Sequence, residues 1–212
     1  MPGIFNARVL LGIGLLLSLL PCVAEADRVI LSPDGNLLSP DSVKLEYLIA
    51  PNRRNESLAF AQYASPDGIE LEFNRSDFAR DTKNRYSFNV AYPFLSDLGA
   101  TPAIAFGVRD LTGTGLERLA FYIAAGKSVP LSDRQARFIK ELRWSAGIGT
   151  GYFHAPFAGV QVRLRSGLRI AAEWWRNRPN ASLSLPVAKE WNVRAYSLNG
   201  DVFYGVTYTL VK

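Results

Sequence analysis

The chain has 212 residues, 48% of them hydrophobic, with a formal net charge of +5, one cysteine and one histidine. One Cys and one His exclude a disulfide framework and argue against a zinc site, and no other metal or cofactor is expected. The positive surplus is small and needs no nucleic acid to explain it, although it leaves room for attraction to acidic polysaccharide or lipid phosphate.

In chain order, Arg8 precedes an apolar run from Val9 to Leu20, then Pro21 and the small-residue site Ala24-Glu25-Ala26. That order reads as a secretory signal over residues 1–26, cleaved before Asp27. The run is too short for a membrane anchor, which needs about 20 residues. Cys22 follows Pro21 rather than the small residue of a lipoprotein signal, so it belongs to the discarded peptide. Residues 27–42 form an irregular lead-in, and residues 43–212 a single domain.

From Val43 onward the chain alternates apolar and polar residues with period two, the signature of strands. Expected strands are Val43–Ala50, Leu58–Ala64, Ile69–Asn74, Tyr86–Tyr92, Pro102–Arg109, Arg118–Ala125 and Phe138–Ile148, with one helical turn within Ser132–Ile139. Five more form a meander from Phe157 to Val211, joined by Ser166-Gly167, Asn177–Asn180 and Asn199-Gly200-Asp201. In the last strand Val202, Tyr204, Val206, Tyr208 and Leu210 share one face, and Phe203, Gly205, Thr207 and Thr209 the other. The total is about twelve strands, within roughly ten to fourteen.

Two architectures share this pattern, a soluble β-protein and a membrane barrel. A membrane barrel turns its apolar face outward and keeps charges in its lumen. Gln161, Arg163, Arg165, Arg169, Glu173 and Arg194 share the polar face of the meander. Tyr47, Tyr86, Tyr92, Tyr122, Trp144, Trp174, Trp191, Tyr204 and Tyr208 fall on the apolar face, where half-polar rings suit the headgroup level. A long meander must also close, because lipid tolerates no open sheet edge. The expected fold is therefore an all-β, antiparallel up-and-down transmembrane β-barrel in the outer membrane, in contact with its lipid.

Thr101-Pro102-Ala103-Ile104-Ala105-Phe106-Gly107-Val108-Arg109-Asp110-Leu111-Thr112-Gly113-Thr114-Gly115 is followed by Phe121-Tyr122-Ile123-Ala124-Ala125-Gly126-Lys127. Further on come Gly151-Tyr152-Phe153-His154-Ala155-Pro156-Phe157-Ala158-Gly159-Val160 and Ala172-Glu173-Trp174. Together and in this order they resemble the YjbH-type family of outer-membrane proteins associated with exopolysaccharide and group 4 capsule production. The resemblance runs roughly from Ile69 to Leu210. It implies a short member of that family, assisting polysaccharide production or export without catalysis. The chain departs from the family pattern at Glu173-Trp174-Trp175-Arg176, where an acidic-aromatic-acidic run is usual.

The charged ladder Arg163, Arg165, Arg169, Glu173 and Arg194 is the candidate site. One reading is a structural lumen network; the other is a contact surface for an anionic polysaccharide or a periplasmic export protein. Two rival functions stay open: a soluble periplasmic β-protein binding glycan or lipid, and a barrel lipid A-modifying hydrolase. The hydrolase would need His154 beside a serine such as Ser145 or Ser166, although neither adjoins it in sequence. No catalytic residue is assigned. Gly113-Thr114-Gly115 superficially suggests a phosphate loop, but no Lys-Ser/Thr or helix follows, so a hairpin turn is expected.

Overall fold

The computed structural model describes residues 28–51, 56–77, 85–115, 118–132, 134, 136–153 and 155–211. The signal read over residues 1–26 and His154 lie outside them. Twelve strands run in chain order: β1 (Ser42–Ala50), β2 (Glu56–Ala64), β3 (Glu70–Asp77), β4 (Arg85–Leu95), β5 (Ala103–Arg109), β6 (Ala120–Pro130), β7 (Ile139–Gly149), β8 (Phe157–Leu164), β9 (Arg169–Trp175), β10 (Arg178–Pro186), β11 (Trp191–Leu198) and β12 (Asp201–Val211). Each strand pairs antiparallel with its sequence neighbours, and β1 pairs with β12 from Ser42↔Val211 to Ile49↔Tyr204, closing the barrel. Closure gives every edge strand a partner, which is the condition for spanning lipid.

The expected strand number holds, but several strands are longer than the alternation implied. β4 runs on to Leu95 and β6 to Pro130. Both extensions break strict alternation, β4 through a register shift between Pro93 and Leu95, so the pattern ended before the pairing did. Across Ser132–Ile139 the Ala136 N–H donates to the Ser132 carbonyl, closing one turn.

The outer wall is apolar. Tyr47, Tyr92, Trp174, Trp191, Tyr204 and Val206 all stand exposed, as does Phe106. Tyr122 does not join them. Counted among the outward aromatics by sequence, it points into the barrel and packs against Phe153 at 5.4 Å between ring centroids. Its neighbours Phe121 and Ile123 carry the outward face, so Tyr122 falls on the opposite side of the pleat. It lies over Gly107, where any Cβ would meet its ring.

Residues 28–38 turn back into the lumen. Val29 and Ile30 join an inward cluster with Leu48, Leu58, Phe60, Tyr196 and Phe203, and Leu31 packs against a second with Phe153, Phe157 and Trp175. The barrel interior is thus filled by the chain's own segment.

Candidate functional site

The segment sits where the barrel offers partners for its backbone. A chain lying in a lumen has no ladder of its own, so its N–H and C=O groups need acceptors and donors from the wall. Glu173 supplies most of them on one side. Its carboxylate accepts the Ile30 N–H at 3.1 Å, the Leu31 N–H at 3.0 Å, the Ser32 N–H at 2.9 Å and the Ser32 hydroxyl at 2.7 Å. Asn180 on β10 donates to it as well, at 2.8 Å. Three consecutive amides around one anion form a concave nest, here with the ion supplied by the protein.

Other walls hold the rest of the segment. Arg109 donates to the Leu31 carbonyl at 2.7 Å and Ser145 to the Pro33 carbonyl at 3.0 Å. Arg143 meets Asp34 at 2.5 Å and the Asn36 carbonyl at 3.2 Å. The Leu38 N–H donates to Glu70 at 3.0 Å. Arg28 bridges Glu46 at 2.7 Å and Glu72 at 3.2 Å, with its guanidinium 3.7 Å above the Phe60 ring. Gly126 and Gly159 leave room for the segment: a Cβ on Gly126 would lie 2.0 Å from Asp34 Oδ1, and one on Gly159 2.8 Å from Val29. Beside the segment, a cavity of about 20 Å³ remains among Arg28, Pro33, Glu70, Glu72 and Arg109. That is room for about one water.

The candidate ladder is divided by this arrangement. Glu173 holds the segment. Arg194 donates to the Tyr196 hydroxyl at 2.7 Å and lies 3.5 Å from Glu46, which also accepts the Tyr196 hydroxyl proton. Arg163 and Arg169 face each other across the β8–β9 pairing near the barrel end where β1 starts and β12 ends, with Glu141 3.6 Å from Arg163. Arg165, in the following turn, donates to the Leu131 and Ala136 carbonyls at 3.1 and 3.3 Å. So Arg163, Arg165 and Arg169 cluster at one mouth, while Glu173 and Arg194 serve the filled middle.

Sequence reasoning missed residues 28–38. A usable signal was present: Val29-Ile30-Leu31 between Arg28 and Ser32-Pro33-Asp34-Gly35, matched by small inward residues Ala103, Ala105, Ala124 and Gly126. Ser145, one of the two serines considered for catalysis, is 2% exposed and committed to Pro33. The Asp110–Gly115 turn folds around its own acid: the Asp110 carboxylate accepts the Thr112 hydroxyl at 2.8 Å and the Gly115 N–H at 3.1 Å. Its donors are therefore aimed at a residue of the turn, as a hairpin requires. Among the described residues no group of three or more His, Cys, Asp or Glu is arranged for a metal ion.

The opposite mouth has its own cavity, of about 470 Å³, with Phe60, Trp175 and Phe203 below and Arg75, Arg176 and Arg178 around it. Two grooves of about 610 and 620 Å³ lie among outward residues such as Tyr47, Trp191, Leu183 and Val206. Both are on the outer wall and suit acyl chains.

Comparison with known proteins gives two findings. The family described as "Exopolysaccharide biosynthesis protein YbjH" (YjbH) matches residues 61–174. A solved structure described as "KdgM porin" superposes with a TM-score of 0.50 at 11% identity, covering 80% of this chain and 99% of that one. At that identity the likeness is one of fold. No curated protein matches.

Proposed function

Because the chain belongs to the YjbH family of exopolysaccharide biosynthesis proteins, we propose that it is a non-enzymatic outer-membrane barrel assisting exopolysaccharide or capsule production or export. Family and fold both point to the outer membrane. The observation that carries the finer reading is the filled lumen. A barrel whose interior is tied to residues 28–38 by Glu173, Arg109, Ser145 and Arg143 is closed at rest, so it does not act as a standing diffusion pore. It acts instead as a gated element or as an assembly platform for the export machinery. Its proposed contacts are outer-membrane lipid on the apolar wall, and an anionic polysaccharide or a periplasmic export protein at Arg163, Arg165 and Arg169. The signal over residues 1–26 is the proposed route of export.

A soluble β-protein is disfavoured by the exposed aromatic and β-branched outer wall. The hydrolase reading loses Ser145, whose hydroxyl is buried against the segment.

The test is single-channel conductance of the refolded protein in a planar bilayer. The wild type is expected to be closed. Glu173→Ala strips three amides and a hydroxyl of their acceptor, at about 1–3 kcal/mol for each buried group left unsatisfied. Frequent openings are expected in that variant. A wild type that conducts steadily would sink the closed-barrel reading.

A further inference from the structure

The barrel mouth where β1 ends and β12 starts carries two tight hairpins among its described residues. In the β9–β10 turn Arg176 and Asn177 have φ of 52° and 58°, and in the β11–β12 turn Asn199 and Gly200 have 54° and 89°. Positive φ at both central residues is the type I′ geometry, whose twist matches the flanking strands and holds them close. Arg176 and Arg178 therefore stand on a short, rigid support, already placed for a ligand. Below them Phe60, Trp175 and Phe203 form an apolar floor, and Leu31, from the luminal segment, closes it from beneath. The result is a cup, not a passage.

The lining has two chemistries side by side. Leu31, Leu58 and Leu198, with the small exposed part of the buried rings, offer an apolar surface to the C–H face of a pyranose ring. Asn74 and Asn199 offer both donors and acceptors to hydroxyl groups. Arg176 and Arg178 against the single carboxylate of Asp201 give the inward part of the described lining a positive surplus, since Arg75 follows the outward phase of β3 beside Asp77. A guanidinium has five donors in a fork that fits a carboxylate, so an arginine with one intramolecular partner still has donors to give. The volume of about 470 Å³ lies in the range of small-ligand sites, about 300–1,000 Å³. A small inorganic anion would use the arginines but leave the floor idle.

We propose that this cup binds a saccharide unit carrying a carboxylate, with the sugar ring over the apolar floor and the acid on the arginine rim. The proposal deepens the polysaccharide-assisting reading above and rests on it.

Cellobiouronic acid and cellobiose differ in one carboxylate, so they isolate the contribution of the rim. Calorimetric titration of the full barrel in detergent is expected to show cellobiouronic acid binding about tenfold more tightly than cellobiose. Arg176→Gln combined with Arg178→Gln should bring the two within about threefold, while heat-modifiable gel migration stays that of a folded barrel. Equal binding of the two sugars, no binding of either, or full displacement by equimolar sulfate would each overturn the cup. The conductance experiment separates the readings. A wild type that is closed but does not bind overturns the cup alone; one that conducts steadily overturns the closed barrel alone.

Discussion

The filled middle of the barrel and its arginine-rimmed mouth use the same residue type in opposite ways. In the middle, Arg28, Arg143 and Arg194 lie 2.5–3.5 Å from carboxylates, and their side chains are 5–11% exposed. At the mouth, Arg75 is 47% exposed and sits 3.8 Å from an equally open Asp77, and Arg176 and Arg178 stand exposed on their hairpin. Strand alternation turns Arg143, Arg194 and Arg178 to the inside, while Arg28 belongs to the luminal segment, Arg176 to a turn, and Arg75 to the outward phase it shares with Phe73. What separates the inward ones is the occupant: residues 28–38 exclude water from the middle and stop short of the mouth. A charge shielded from water holds structure, and one left wet is available to a ligand.

The sharpest way to break that comparison is Glu46→Leu. It removes the carboxylate shared by Arg28, Arg194 and the Tyr196 hydroxyl, leaving cations in a dry lumen. The expected loss is about 3–5 kcal/mol, read from urea unfolding in lipid. Arg178→Leu at the mouth should cost under about 1 kcal/mol in the same assay. Equal losses would erase the distinction.

Next in size is Val206→Arg on the outer wall. Val206 is mid-strand, opposite Val193 and Tyr47, and 42% exposed. A cation there should cost about 2–4 kcal/mol in a bilayer. A neutral result would mean that this face does not meet lipid.

Gly126→Val tests the seat of the segment by displacing the Asp34 carboxylate that pairs with Arg143. Its side chain would occupy the position of Asp34 Oδ1. The barrel is expected to refold normally and to show brief channel openings, fewer than Glu173→Ala because one contact is disturbed instead of four.

The smallest effect concerns pH. Burial by itself would raise the Asp97 carboxyl, but hydrogen bonds from Lys127 and the Ser128 N–H, with the nearby cations, outweigh it and hold it below its ordinary 3.8. A depressed folded value means that the stabilisation is complete above the ordinary value and is lost as pH falls through the folded one. Between about pH 6 and about pH 3 the wild type should lose slightly more stability than Lys127→Met. A variant equally sensitive to acid would place the dependence elsewhere.

Much of the barrel was legible because period two is local. Val202, Tyr204 and Val206 face outward simply because successive side chains in a strand point opposite ways. The same locality misleads at Tyr122, whose half-polar ring suggests a membrane anchor although Phe121 and Ile123 set the phase of that strand. Alternation groups the five ladder residues on one face, but it does not tell that Arg165 lies in a turn while Glu173 and Arg194 hold the interior. Glu173 and Arg194 look like Arg163 and Arg169 in any pattern of alternation. Only their partners, 141 to 148 residues away for Glu173 with Ser32 and Arg194 with Glu46, tell them apart.

The sequence by itself determined an all-β chain with an apolar face, a charged face and about twelve strands, because these follow from neighbours two residues apart. Only the tertiary structure decided that the interior is filled, that Gly126 and Gly159 are spaces for Asp34 and Val29, and that one hairpin holds two arginines over an apolar floor. Those facts depend on closure of β1 onto β12, which makes an inside for residues 28–38 to enter and brings distant strands around it. No local periodicity encodes what a closed surface encloses.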